Sequence, residues 1–337
     1  MRATYFFHAG RIPEVKLPRF SVLMPVYNAG RHLDEAIAGI VAQDFSDWEM
    51  VAVNDGSTDS SADILAHWEA RDSRIRVIAS ASNNGQTACL NLGLSECRGD
   101  WVARQDADDL SHPSRLRQQA AYLDAHPETV LLGTNGFLID DGGARIGLLD
   151  VPEDRHSIAW CAPFLNPFLH TAVVFRREIV FAAGGYDETF RIAQDYELWT
   201  RLAAKHRTAN LPGRLVSYRH AETSLSKTGR DLAFEEADRV SAREARRLLG
   251  RPWSNEEENL VSSFRRGLDP ALRTKFVAMV GTIAKEIGKP LPSRLRAAWH
   301  LRLAGADGAN AAREVCSALR ADPAFVVRWL RDRFLNS

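Results

Sequence analysis

The sequence predicts an α/β fold, a Rossmann-like, mostly parallel sheet followed by a C-terminal all-helical extension, and three observations predict it. Short apolar runs alternate with amphipathic stretches of helical length up to about residue 226, the pattern of β-α-β units. A polar or acidic turn stands near the end of each apolar run. Beyond about residue 227 the chain turns to Ala-, Glu- and Arg-rich segments punctuated by Gly and Pro.

Phe20–Val26 reads as a buried strand, Arg31–Gln43 as a helix and Trp48–Val53 as a second strand. Asp59–Arg71, with Asp59 placed to cap it, is the second helix. Ile75–Ala79 and Trp101–Gln105 are further strands flanking a helix near Gln86–Ser95, and Ala172–Phe175 is a later one. In the extension, helices are expected over Asp231–Leu249, Glu256–Arg266, Pro270–Ile287, Ser293–Leu303, Ala309–Ala321 and Pro323–Phe334. The division is thus an N-terminal extension (1–18), an α/β domain (19–226) and a helical domain (227–337).

Composition excludes several classes. Of the 337 residues, 45% are hydrophobic and 26% charged, an ordinary globular mixture. No apolar stretch approaches the roughly 18–20 residues of a membrane span, and the first apolar run is too short for a secretory signal. A cytoplasmic protein is expected. Cys89, Cys97, Cys161 and Cys316 form no C-x-x-C pair, so neither a zinc site nor a disulfide framework is indicated. The 43 basic and 43 acidic residues cancel, which argues against nucleic acid as a partner. From Ala271 onward, however, 12 Lys and Arg face 5 acids, so the tail is basic and the front acidic.

Parallel sheets of this kind place ligands beyond the carboxyl ends of their strands. There stand Pro25-Val26-Tyr27-Asn28, Asn54-Asp55-Gly-Ser-Thr-Asp59, Asn83-Asn84-Gly85 and Asp106-Ala-Asp108-Asp109. One such turn is ordinarily a tight turn or a helix cap; four along one sheet edge point to a site. Asp106 and Asp108 can approach one hard cation, Mg2+ or Mn2+. Such ions are usually held by one or two carboxylates plus substrate phosphates, so a diphosphate is the expected partner.

Phe20-Ser-Val-Leu-Met-Pro-Val-Tyr-Asn28, Val53-Asn-Asp-Gly-Ser-Thr-Asp59 and Ala103-Arg-Gln-Asp-Ala-Asp-Asp109 resemble the hallmark segments of family 2 glycosyltransferases. Gly184-Gly-Tyr-Asp-Glu188 and Gln194-Asp-Tyr-Glu-Leu-Trp199 resemble the family's acceptor-side segment. The resemblance implies a GT-A fold and inverting transfer from a nucleotide-diphosphate sugar, usually a UDP-sugar, with Mn2+ or Mg2+. It implies nucleotide contacts at Pro25, Val26, Tyr27, Asn28, Asp55, Asn84, Gly85 and Asp106, and metal binding at Asp108 with Asp106. Asp55 suits a uracil chemically, since a carboxylate accepts from N3–H.

Asp195 matches the family's catalytic base. At a helix start, backbone N–H groups and the helix dipole are expected to favour its charged form; the plain alternative is an ordinary first-turn carboxylate. The family usually has Glu-Asp here, and Gln194 replaces the first acid. His170 and Gln194 fall on the acceptor side, and His220 is a further candidate near the metal, one residue out of the family's register. Trp199 and Trp160 are aromatic surfaces for a sugar, although tryptophans at helical spacing are more often core.

The segment Pro323–Leu335 sets Phe325 and Trp329 beside Arg328, Arg331 and Arg333, a composition suited either to an anionic membrane surface or to packing on the catalytic domain. The resemblance also implies a glycan or lipid-linked acceptor in surface-polysaccharide synthesis, with a peripheral site at the inner face of the membrane. The helical tail could also pair two copies. Processive synthesis is not expected, because Phe325 stands where the Q-x-x-R-W motif needs Gln. Two other classes compete with this reading: a non-catalytic nucleotide-sugar-binding scaffold, and a nucleotidyltransferase, whose basic Gly-rich loop after the first strand is absent.

Overall fold

In a computed structural model of the chain, residues 17–220, 229–266, 270–288 and 290–293 are described. Alternation along the first strands decides the architecture. In β1 (Phe20–Val26), Phe20, Val22, Met24 and Val26 enter one apolar cluster and Leu23 the opposite one. In β2 (Trp48–Asp55), Met50 and Ala52 point one way and Val51 and Val53 the other. Strands buried on both faces need helices on both sides. α1 (Leu33–Val41), α2 (Ser61–Arg71) and α4 (Arg115–Ala125) cover the first face. α3 (Gln86–Glu96) and α7 (Gln194–Lys205) cover the second. Gly93 lets α3 lie close to the sheet, since a Cβ there would meet Val53 Cγ2 at 2.8 Å.

The remaining strands are β3 (Ile75–Ser80), β4 (Trp101–Arg104), β5 (Leu110–Ser111), β6 (Thr129–Ile139), β7 (Arg145–Leu149), β8 (Val174–Arg176) and β9 (Arg207–Arg219). Their order is β3-β2-β1-β4-β8-β6-β9-β5, with β7 added beside β6. Six of them, β1–β4, β6 and β9, run one way. Register aligns the strand ends: Val26 pairs with Asn54, Asp55 with Ser80 and Leu23 with Arg104.

Two antiparallel strands complete that edge. β8 starts where β4 ends, so the 3-10 turn His170–Ala172 arrives beside Asp106. This turn occupies the start of the strand expected at Ala172–Phe175. β5 pairs Leu110 with Ser217, which sets Arg219 beside Asp108 and Asp109.

Between β7 and β8 lies α5 (Arg155–Cys161), and α6 (Arg177–Ala182) follows β8. The extension contributes α8 (Arg230–Leu249), α9 (Asn255–Arg266) and α10 (Arg273–Glu286). A third core joins it to α5: Trp160, Cys161 and Phe164 pack with Trp253, Phe264, Phe276 and Ile283. The expected helices Ser293–Leu303, Ala309–Ala321 and Pro323–Phe334 lie outside the described residues, apart from Ser293, and so does the segment Pro323–Leu335 with its alternative membrane or packing roles. No helix among the described residues is long and apolar enough to cross a membrane. Cys89, Cys97 and Cys161 are buried thiols.

Candidate active site

The loops after β1 and β2 hold each other. Asn28 has φ 49°, and its Oδ1 accepts from the N–H of Thr58 at 2.8 Å. The N–H groups of Asn28, Ala29 and Gly30 donate to Ser57 Oγ, Ser61 Oγ and Asp59 Oδ2. Asp59 also accepts from the Ser61 N–H at 3.0 Å, at the entry to α2. Pro25 and Val26 end β1, and Tyr27 beyond them is half exposed.

Asp55 is buried, and its oxygens accept from the N–H groups of Asn84 and Gly85, both at 2.9 Å. This folds the loop after β3 over the end of β2. Gly56, at φ +69°, allows that approach; a Cβ would meet the Ser82 carbonyl carbon at 2.7 Å.

Three buried arginines brace the acidic turn after β4. Arg104 donates through Nη2 to Asp106 Oδ1 at 2.6 Å, through Nε to His170 Nε2 at 3.1 Å and through Nη1 to the Gln105 carbonyl. Arg115 reaches Gln105 Oε1 and the Arg104 carbonyl; burial pulls its guanidinium down to about 9. Arg219 donates to the carbonyls of Asp108, Asp140 and Asp141 and to Glu35, while its own N–H binds Asp109 at 2.7 Å. None of the three was singled out from sequence as a site residue. The signal for Arg104 was present: a cation in the otherwise apolar run Trp101-Val-Ala-Arg104 needs partners when buried.

The Arg104 contact also fixes His170. A guanidinium only donates, so His170 Nε2 accepts and the ring's proton sits on Nδ1. Burial, with the Arg104 charge beside it, holds the imidazole well below its usual range, so it is neutral near pH 7. Its ring lies 5.9 Å from Trp199 and 6.1 Å from Tyr186. Trp199 is 0% exposed and Trp160 1%, so both serve as core and present no surface to a sugar.

Burial pushes the Asp108 carboxyl up to about 6, and the negative charge of Asp106 adds to the rise. The histidine whose charge acts on Asp108 is His32, itself 3.0 Å from Asp141. His220 is exposed at the end of β9; its N–H binds the Ile139 carbonyl, and no described contact joins it to Asp106 or Asp108. Among the described residues no three His, Cys, Asp or Glu side chains converge as a metal group. The chemistry present, an Asp108 carboxyl raised by burial with the Asp106 charge acting on it, is of the kind a hard divalent cation would relieve.

Asp195 is the second residue of α7, where its Oδ1 accepts from the Tyr196 N–H at 2.7 Å and its Oδ2 from Asn166 Nδ2 at 2.8 Å. The helix-start N–H of Tyr196 favours the charged form of Asp195, as expected, but does not decide its net state. Burial outweighs these hydrogen bonds and pushes the carboxyl up to about 6; Asp106 acts in the same direction and Arg104 against it. Asp195 and Asp106 are thus within electrostatic reach of each other. Gln194 is buried, donates to Gln86 Oε1 and leaves its own Oε1 without a partner. A cavity of about 560 Å3 lined by Asn91, Tyr186, Glu188, Glu197 and Arg201 includes none of Asp106, Asp108 or Asp195. Among its polar side chains Arg201 pairs with Glu197 and Asn91 with Glu188, while the buried Tyr186 hydroxyl has no hydrogen-bond partner among the described residues.

A mostly parallel sheet covered by helices on both faces, with an acidic turn after β4 at its carboxyl edge, has the GT-A-type architecture. Residues 21–180 match the sequence model of Glycosyl transferase family 2. The amylovoran biosynthesis glycosyltransferase AmsE of Erwinia amylovora is 33% identical over 62% of this chain and 79% of its own length. The O-antigen biosynthesis glycosyltransferase WbnJ of Escherichia coli is 31% identical over 68% of this chain and 89% of its own. The chain belongs to glycosyl transferase family 2. The crystal structure of S. aureus TarS 1–349 in complex with UDP-GlcNAc superposes with a TM-score of 0.56, covering 91% of each chain at 18% identity, a likeness of fold.

Proposed function

We propose that the protein is an inverting, divalent-cation-dependent glycosyltransferase that moves a sugar from a UDP-sugar to a hydroxyl of a glycan or lipid-linked acceptor. The relatives named for amylovoran and O-antigen biosynthesis support an acceptor of the surface-polysaccharide class. The catalytic unit is residues 19–226, with 227–337 as a helical extension, and the enzyme works in the cytoplasm or at the membrane's inner face.

One observation carries the reading: Asp195, a buried carboxyl titrating near 6, lies within electrostatic reach of Asp106 in the acidic turn. A general base serves best with a pKa close to working pH. Asp195 takes the proton of the acceptor hydroxyl as that oxygen bonds the anomeric carbon. The bond from that carbon to the diphosphate oxygen breaks on the opposite face, which inverts the centre. The proton ends on Asp195 and the negative charge on the departing diphosphate. Mn2+ or Mg2+ at Asp108 and Asp106 would supply Lewis-acid neutralisation of that charge. The loops at 25–28, 55 and 84–85 bind the nucleotide, and Asp55 retains acceptor capacity for a uracil N3–H. His170, held as the Nδ1–H tautomer, donates on the acceptor side and is not the base.

The test is release of nucleoside diphosphate from UDP-, GDP- and dTDP-sugars with Mn2+ or Mg2+. Turnover that disappears in Asp195→Asn, with UDP affinity kept within about twofold, is expected. Binding of donors without any turnover would favour the scaffold reading. Formation of inorganic pyrophosphate from a sugar phosphate and a nucleoside triphosphate would favour the nucleotidyltransferase.

A further inference from the structure

The helical extension reaches the base. Glu236 of α8 is 2% exposed, and its carboxylate accepts from three consecutive backbone N–H groups, those of Arg191, Ile192 and Ala193, at 2.8, 2.9 and 2.8 Å. Consecutive N–H groups turned to one side form a concave anion seat, and here a side chain of the same protein, 43–45 residues on, occupies it. The chain enters α7 directly after this seat, and Asp195 is the second helical residue.

The same face of α8 continues the grip. Val240, one turn on, packs with Phe190, Ala193 and Tyr196. Arg243, at i+7 from Glu236 and so near it on the helix surface, donates to the Glu197 carboxylate at 2.6 Å and to Thr200 Oγ1 at 2.6 Å. Asp195's own side chain has the Tyr196 N–H and Asn166 as its hydrogen-bond partners. Its placement therefore depends on how the 191–193 segment is held.

We propose that Glu236 is a positioning residue for glycosyl transfer, acting from the helical extension through the 191–193 segment to set Asp195 against the acceptor hydroxyl. The inference rests on Asp195 being the base. Reacting groups must be placed within fractions of an ångström, and a misplacement of about 1 Å can cost on the order of 10²-fold in rate. Glu236 makes no described contact with the donor-side loops, so the loss should fall on turnover and spare donor binding.

Full-length Glu236→Gln, Glu236→Asp and Glu235→Gln are compared with wild type and Asp195→Asn for kcat, donor KM and UDP affinity. Glu235 is the exposed neighbour and controls for charge. Glu236→Gln should lower kcat about 10- to 100-fold with donor KM within twofold. Glu236→Asp, which keeps the carboxylate but retracts it, should fall between Gln and wild type, and Glu235→Gln should match wild type. Full kcat in Glu236→Gln, or a loss of kcat matched by loss of UDP affinity, overturns the inference. If Glu236→Gln does not fold, Glu236→Asp decides: a several-fold fall in kcat at unchanged donor KM supports it, and an unchanged kcat overturns it. An inactive Asp195→Asn beside fully active Glu236 variants removes the positioning role alone. An active Asp195→Asn removes the base assignment and this inference with it.

Discussion

The two sides of the candidate site are secured by different means. On the donor side, the loops after β1, β2 and β3 are tied to one another by many short bonds, and three buried arginines brace the turn after β4. On the base side, one carboxyl sits on a helix held from outside the sheet by Glu236 and Arg243. Distributed bonding makes a wall that tolerates single losses. A wall held through a few contacts responds in rate. Donor-side substitutions should therefore register in stability and nucleotide affinity, and base-side ones in turnover.

The largest departure from tolerance is expected at Arg104, because it joins the two sides by pairing with Asp106 and His170 together. Arg104→Met should cost about 3–5 kcal/mol of stability, the scale for breaking a buried ion pair by removing one partner, as read by urea unfolding. A loss under about 1 kcal/mol would show that this cation is no keystone. Gly56→Ala comes next. It places a Cβ against the Ser82–Asn83 backbone at positive φ, and about 2 kcal/mol is expected from strain in that conformation. UDP affinity should fall with it, because the Asn84–Gly85 loop must shift off Asp55. An unchanged affinity would detach that loop from the donor side.

A third measurement sharpens the other half of the comparison. Asp195 titrates near 6 in the folded protein, above the ordinary carboxyl value of 3.8. A base with a raised pKa is lost as pH falls, so kcat should drop through pH 6 and be about tenfold lower at pH 5. The stability contribution runs the opposite way. The folded state binds the proton more tightly than the unfolded one, so this group stabilises the fold below pH 3.8 and loses that contribution as pH rises toward 6. The midpoint of the rate profile should stay put as Mn2+ is varied; a midpoint that moves with the metal would belong to Asp108 instead.

The parallel core was legible because its determinants are local. Alternation in Phe20–Val26 and Trp48–Val53, and turn residues after each, are visible without tertiary knowledge, and the observed strands begin at those residues. The helix at Asp231–Leu249 was equally plain from its composition. What sequence could not supply were pairings across long separations. That β9 returns beside β5 and sets Arg219 against Asp108 spans 111 residues. That α8 packs against the start of α7 depends on packing between surfaces no local pattern specifies. The net state of the Asp195 carboxyl escapes the sequence for a related reason: the helix-start effect is local and readable, whereas the burial that outweighs it is not.

The smallest effect tests how redundant the donor side is. Asn28 is the non-glycine residue with positive φ among the described residues, at 49°, and its side chain also accepts from Thr58. Asn28→Ala loses a hydrogen bond of about 1 kcal/mol and puts a residue less suited than Asn into the left-handed region, for roughly 1–2 kcal/mol in all. Asn28→Gly loses the same bond, but glycine adopts that conformation freely, so its net cost should be about 0.5 kcal/mol. The difference between the two variants isolates the backbone contribution from the side-chain bond. If neighbouring bonds at Ala29 and Gly30 keep the loop in place, UDP affinity in Asn28→Gly should stay within about threefold of wild type, a change of about 0.6 kcal/mol. A tenfold loss there would mean that this one side chain governs the donor loop, and the contrast between a redundant donor wall and a base held through a few contacts would no longer stand.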